Sequence, residues 1–233
     1  MAKLGARRVT DLELTVPPAG GWLTTCHLDS GAPPAAGAAT LIVGDLQLVG
    51  RILPGRGGTD SPDRPAVVVA GGYGWRTPLP APGGSFGSPS QVRLSTVLRA
   101  LVAIAGESYD PPPEALLGAA YGWDASTPGR VIRCRAVLAD LVARRAIPMW
   151  RVDPATGRTV FTPWPTLPLA DAHGVVDDRE LARGVLHVKL SSEAAAWLPG
   201  ARVTIPGPAP RIFTVARTVY TEHDGELTAK VWE

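Results

Sequence analysis

The chain has 233 residues, 45% apolar and 19% charged, enough for a substantial core and too apolar for disorder throughout. A formal charge of +2 gives no electrostatic argument for a nucleic-acid or membrane partner, since phosphate binding needs a concentrated excess of Lys and Arg. Cys26 and Cys134 stand alone without C-x-x-C spacing, which excludes a disulfide framework or a cysteine zinc site. No apolar h-region follows Met1, and no stretch approaches the roughly 18 apolar residues of a membrane helix. The expectation is a soluble chain made in a reducing compartment.

The 26 glycines and 24 prolines lie between short apolar runs, as many turns between short strands require. In Val9–Val16, Leu12, Leu14 and Val16 alternate with Asp11, Glu13 and Thr15, the period of a half-buried strand. A Pro-Pro-Ala-Gly-Gly turn leads to Trp22–Leu28, and the breakers Gly31–Gly37 lead to Ala39–Val43. Gly44-Asp45 joins that run to Leu46–Leu53 as a hairpin, with Gly50 placed where another backbone passes close. Ala66–Ala70 is the continuous apolar run of a strand buried on both faces. Residues 1–93 therefore read as an N-terminal β-barrel module.

Residues 94–147 change period and read as a helical segment. Ser95 is placed to cap a helix carrying Val97, Leu98, Leu101, Val102 and Ala105, closed by Gly106. Asp110-Pro111 reads as the start of a second helix, with Leu116, Leu117 and Ala120 along one side. Arg130–Ala146 reads as a third, with Val131, Cys134, Leu138, Leu141 and Val142 at three- and four-residue spacing. Arg133, Arg135, Arg144 and Arg145 beside that stripe fit a solvated face.

Strand signals return over 148–233, read as a C-terminal β-barrel module. Met149–Val152 and Thr159–Thr162 flank the loop Asp153–Gly157, and Leu186–Leu190, Arg202–Ile205, Ile212–Tyr220 and Glu226–Trp232 follow. Asp224-Gly225 is the turn between the last two. The expected fold class is mainly β (α+β): two small antiparallel β-barrel modules separated by a helical segment.

Gly83–Gly87 matches G-x-S-x-G around Ser85, but Pro80, Pro82 and Pro89 do not build the strand-to-helix elbow a nucleophile needs, so a flexible surface loop is expected. Cys26 and His27, near Asp29, are strand neighbours pointing to opposite faces, which separates nucleophile from base. His173, His187 and His223 are scattered outside metal-ligand spacing. The acidic run Asp177–Glu180 lacks a second oxygen-rich loop for calcium and serves at least as well as the negative first turn of a short helix. Gly55–Asp60 lacks the Lys-Ser/Thr ending of a phosphate loop and reads as a hairpin tip. No catalytic, metal or cofactor site is expected. Of seven tryptophans, Trp22, Trp75, Trp197 and Trp232 are candidate subunit-interface anchors, because Trp is enriched in interface hot spots.

The stretch Leu14–Asp29, then Ala38–Gly50, Gly71–Arg76 and Val92–Leu98, resembles the opening barrel of tailed-phage tail-tip (baseplate) hub proteins, especially those of Mu-like and related phages. Trp197–Val203, Ile212–Val215 and Leu227–Trp232 resemble the closing barrel of such hubs. The resemblance implies two barrels per subunit in a homotrimer, a pseudo-sixfold ring that joins a sixfold tail tube to a threefold spike. It implies the chain itself, tail tube, spike and baseplate wedge proteins as partners, with DNA met only in passage through the lumen. It places the protein in the virion tail tip, assembled in the bacterial host cytoplasm, with a mechanical role and no catalytic residues. Three alternatives remain: another tail or neck adaptor, a tail-associated hydrolase using Ser85 or the Cys26/His27/Asp29 group, and a carbohydrate- or protein-binding β-module.

Overall fold

The computed structural model describes residues 1–54, 65–81, 83–124, 131–172, 174–177, 180–205 and 210–233. Six strands open the chain: β1 (Ala2–Leu4), β2 (Arg7–Val16), β3 (Leu23–Leu28), β4 (Gly37–Val43), β5 (Leu46–Ile52) and β6 (Ala66–Ala70). After a 3-10 turn at Tyr73–Arg76 come β7 (Gly83–Gly87), α1 (Leu94–Ala105), β8 (Ala120–Asp124), α2 (Cys134–Ala143), β9 (Arg151–Val152) and β10 (Thr159–Val160). The remaining strands are β11 (Leu169–Asp171), β12 (Val175–Asp177), β13 (Val185–Leu190), β14 (Arg202–Ile205), β15 (Arg211–Thr214), β16 (Arg217–His223) and β17 (Glu226–Trp232). Two compact units result: Met1–Gly71 with Pro154–Thr156 and Trp164–Glu233, and Gly72–Asp153 with Gly157–Pro163.

In the first unit, the order β1-β4-β5-β6-β3-β2 closes through the β1–β2 pairing into one six-stranded antiparallel barrel. Strand β2 shows how its sequence permits this. Its buried residues are Val9, Leu12, Leu14 and Val16, so the inward step from Val9 to Leu12 spans three residues instead of two. A register shift between Val9 and Asp11 absorbs the extra residue, Thr10, and bends the strand as a β-bulge does. One edge of β2 carries β3, while the other is divided: Arg7 and Arg8 pair with β1, and Asp11–Val16 pair with β16. At the division the Thr10 carbonyl accepts the Asp224 N–H at 3.2 Å.

Through β2 the sheet runs on as β16-β17-β13-β12, ten strands in all, while β11-β14-β15 form a separate three-stranded sheet. Among the described residues one barrel closes, not the two expected. The reason is that β16 spends an edge on β2, so its own group of strands stays open and, among the described residues, β12 keeps one edge unpaired. The run read as one strand over Ile212–Tyr220 is broken at Val215-Ala216, whose N–H groups donate to the Ala201 and Trp232 carbonyls. The Asp224-Gly225 turn forms as expected, both residues adopting the positive φ (49° and 87°) of a two-residue hairpin loop.

Close approach explains two glycines. A Cβ on Gly50 would lie 2.8 Å from the Trp22 ring, and one on Gly71 would lie 2.3 Å from its Nε1. The indole fills the space two missing side chains leave. Beside the buried hydroxyls of Thr24 and Thr218, this interior holds the Glu222 carboxylate: it is 1% exposed, and neither oxygen has a hydrogen bond among the described residues. Among the described residues its ion pair is with the Met1 α-ammonium, at 3.9 Å.

The second unit packs Leu94, Val97, Leu98 and Leu101 of α1 and Cys134, Val137, Leu138 and Leu141 of α2 with Trp75, Tyr121 and Phe161. The three- and four-residue spacings seen in the sequence are thus real for α1 and α2. Two details differ. Ser95 lies inside α1, and the helix start is capped by Glu114, whose Oε1 accepts the Ser95 N–H at 3.0 Å and Oε2 its hydroxyl at 2.6 Å. Asp110-Pro111 starts no helix: Ala115 and Leu117 exchange backbone hydrogen bonds with Leu94 and Val92, and Ala120 opens β8. Three consecutive prolines, Pro111, Pro112 and Pro113, favour the extended path. The third expected helix is shorter, starting at Cys134, and Val131 is 65% exposed.

Candidate functional site

Alternation along β13, β16 and β17 sends Leu186, Val188, Tyr220, Leu227, Ala229 and Val231 inward. The opposite phase builds a polar outer face. Its cross-strand rows follow from the register: Lys189, Thr228, Thr221 and Glu13 lie abreast, as do His187, Lys230, Val219 and Thr15. A groove of about 440 Å³ is lined by Val175, His187, Lys189, Thr221, Thr228 and Lys230.

Charge on this face is sorted. Lys189 pairs with Glu226 at 2.7 Å, and Glu180 takes both His187 (2.9 Å) and Lys230 (3.5 Å). The His187 hydrogen bond, with Lys230 beside it, holds the Glu180 carboxyl below the usual carboxylate range. Arg217 and Lys230 sit over the Trp232 ring, 4.9 and 5.6 Å from its centroid, within cation–π range. On β2, Asp11 lies between His27 of β3 and His223 of β16 in register. His223 Nδ1 pairs with Asp11 and Nε2 lies 3.4 Å from Asp224. That hydrogen bond lowers the Asp11 carboxyl below its ordinary value.

The four tryptophans expected as interface anchors divide. Trp22 is 2% exposed and Trp75 and Trp197 are fully buried, so these three are core residues with no surface for a partner. Trp75 donates its indole N–H to Thr159 Oγ1 at 2.7 Å, and the Trp197 carbonyl accepts the Thr218 hydroxyl. Sequence proximity to breakers misled here, because a large ring beside a glycine fills space inside the subunit as readily as outside it. Trp232 alone of the four is partly exposed.

Ser85 lies on β7, paired with Gly122 of β8, so the expected flexible loop is a strand and not an elbow entering a helix. Cys26 is buried, and burial pushes its thiol up to about 12, while the neighbouring His27 faces the other way. Asp29 donates its backbone N–H to the Arg8 carbonyl. Gly55–Asp60 and His173 lie outside the described residues, as does the middle of Asp177–Glu180. Among the described residues no group of three or more His, Cys, Asp or Glu side chains is arranged to hold a metal, and no helix is long and apolar enough to cross a membrane.

The fold is similar to that of the 43 kDa tail protein of prophage MuSo2 from Shewanella oneidensis, with a TM-score of 0.64 and 11% identity over 99% of this chain and 95% of that one. It is also similar to the E. coli c3393 protein, a component of the type VI secretion system with structural similarity to the T4 bacteriophage tail proteins gp27 and gp5. That match has a TM-score of 0.59 and 12% identity and covers 100% of this chain and 76% of that one. No protein-family model matches the sequence, and no curated protein matches it. The chain shares the fold of these two proteins, in line with the phage-tail resemblance read from the sequence.

Proposed function

We propose that the protein is a baseplate hub subunit of a phage or phage-like tail, assembling as a homotrimeric ring that joins the tail tube to the central spike. The observation that carries this reading is the likeness to the MuSo2 tail protein, which extends over nearly the whole of both chains. Fold alone does not assign function, so the surface must supply the rest. On the outer face Lys189 and Lys230 are paired with Glu226 and Glu180 within the chain, while Arg217 and Lys230 flank the partly exposed Trp232 ring. A partly exposed indole between two cations suits a contact between copies, and closing such contacts into a ring protects the β12 edge. Trp232, with its two flanking cations, is the anchor of that contact. The partners beyond the chain itself are tail tube, spike and wedge proteins, with DNA passing through the lumen. The role is mechanical, in the virion tail, with no catalytic step.

Size-exclusion chromatography with light scattering tests it. A trimer is expected, and K189E combined with K230E should shift it toward monomer most strongly at low salt. A parent protein that stays monomeric and binds neither tube nor spike protein would sink the reading.

A further inference from the structure

We infer that the groove between β7 and the start of α1 binds an acidic saccharide. This groove, about 360 Å³, lies within the second unit and is lined by Ser85, Phe86, Gln91, Arg93 and Thr96 among others. Gln91 is the first clue. Its φ is +73°, a backbone region in which side chains other than glycine are rare and mildly strained. The Gln91 side chain is exposed, and its amide makes no hydrogen bond to the described residues, so its donors and acceptor are open to something outside the chain.

The other lining groups define what that something is. The Ser85 and Thr96 hydroxyls are exposed and free of hydrogen bonds to described residues, and like the Gln91 amide they can supply donor and acceptor together. Sugar hydroxyls need that dual capacity. Phe86 adds an apolar wall for the C–H face of a sugar ring, held in place by Trp123 at 5.4 Å between ring centroids. Arg93 is the charged side chain of the lining; it also acts on the Glu114 carboxylate, and the several donors of its planar guanidinium leave a bidentate face for a ligand carboxylate.

Two other readings fit less well. The α1 N-terminus is not itself an anion site, because the Leu94 and Ser95 N–H groups are taken by the Ala115 carbonyl and the Glu114 carboxylate. A peptide ligand needs apolar pockets for anchor side chains, whereas this lining is mostly small hydroxyl and amide groups.

The test titrates tetragalacturonate into the full chain and follows the Gln91 side-chain amide and backbone amides 85–96 by NMR. Saturable shifts confined to those residues are expected, at least tenfold weaker for the carboxyl-reduced tetrasaccharide and for R93Q. Q91G removes the amide while relieving the positive φ. It should therefore melt no lower than the parent yet bind at least threefold more weakly. No saturable shift, equal binding of tetraglutamate, or parent-like binding by Q91G would overturn the proposal.

Discussion

The two units of this chain are built on opposite principles of locality. In the first, β2 pairs with β16 across roughly 200 residues of sequence, and the barrel and the open strand group share that one seam. In the second, α1, α2 and the ribbon β7–β8 lie within one contiguous stretch, and a single apolar cluster organises them around Trp75. A sheet finished by its last strands depends on the whole chain, whereas a helical insert depends mostly on its own residues. That difference sets where substitutions should be felt.

The largest effect is expected from the two fully buried indoles. W75A removes a ring with a 2.7 Å hydrogen bond to Thr159 and an edge contact to Trp150 at 6.1 Å, and W197A removes its counterpart in the first unit. Each should cost about 3–5 kcal/mol in urea denaturation. Residue-resolved hydrogen exchange should place the loss from W75A in residues 72–153 and the loss from W197A in β13, β16 and β17. Equal loss in both units from either variant would break the comparison and make the chain one cooperative body.

Next in size is G71A, which drives a Cβ into the Trp22 ring and should cost about 1–3 kcal/mol by overpacking, read as a lowered melting temperature. In the opposite direction, E222L replaces a buried carboxylate whose oxygens lack hydrogen bonds, and should stabilise the first unit by about 1–3 kcal/mol. A less stable E222L would mean that the ion pair with the Met1 α-ammonium outweighs the cost of burying the charge.

The smallest effect concerns Glu114, whose carboxyl the Ser95 hydroxyl and then its N–H hold below the ordinary value. A depressed folded pKa stabilises fully above the unfolded value and is lost as pH falls through the folded one. E114Q should therefore lower stability near neutrality by at most about 1 kcal/mol, since the site is solvent-screened, and the gap to the parent should close in acid. A gap that persisted below the folded value would refute the assigned cap.

Much of the first unit was legible because its strands alternate cleanly. Ala66–Ala70, Arg202–Ile205 and Glu226–Trp232 have the bounds the periodicity implied. β1, β11 and β12 were missed because three residues carry no readable period. β7 was missed for a different reason: three of its five residues are glycine, which signals a loop in isolation. Only pairing with β8 extends it, and Gly84 is tolerated there because a Cβ would meet the Trp123 ring at 2.4 Å. The groove beside it was illegible for the same reason, since Ser85 and Gln91 become neighbours of one concavity only after that pairing and the turn at Ser88–Ser90.

From the sequence alone follow the β-rich class, the two buried helix stripes and the hairpin turns, because all of these depend on spacing within about ten residues. Which strands share an edge, that one barrel closes instead of two, and whether a tryptophan faces inward were decided only in three dimensions. Hydrogen-bonding edges are interchangeable in sequence, and the choice among them rests on the bend that Thr10 places in β2 and on the competition of β1 and β16 for its free side.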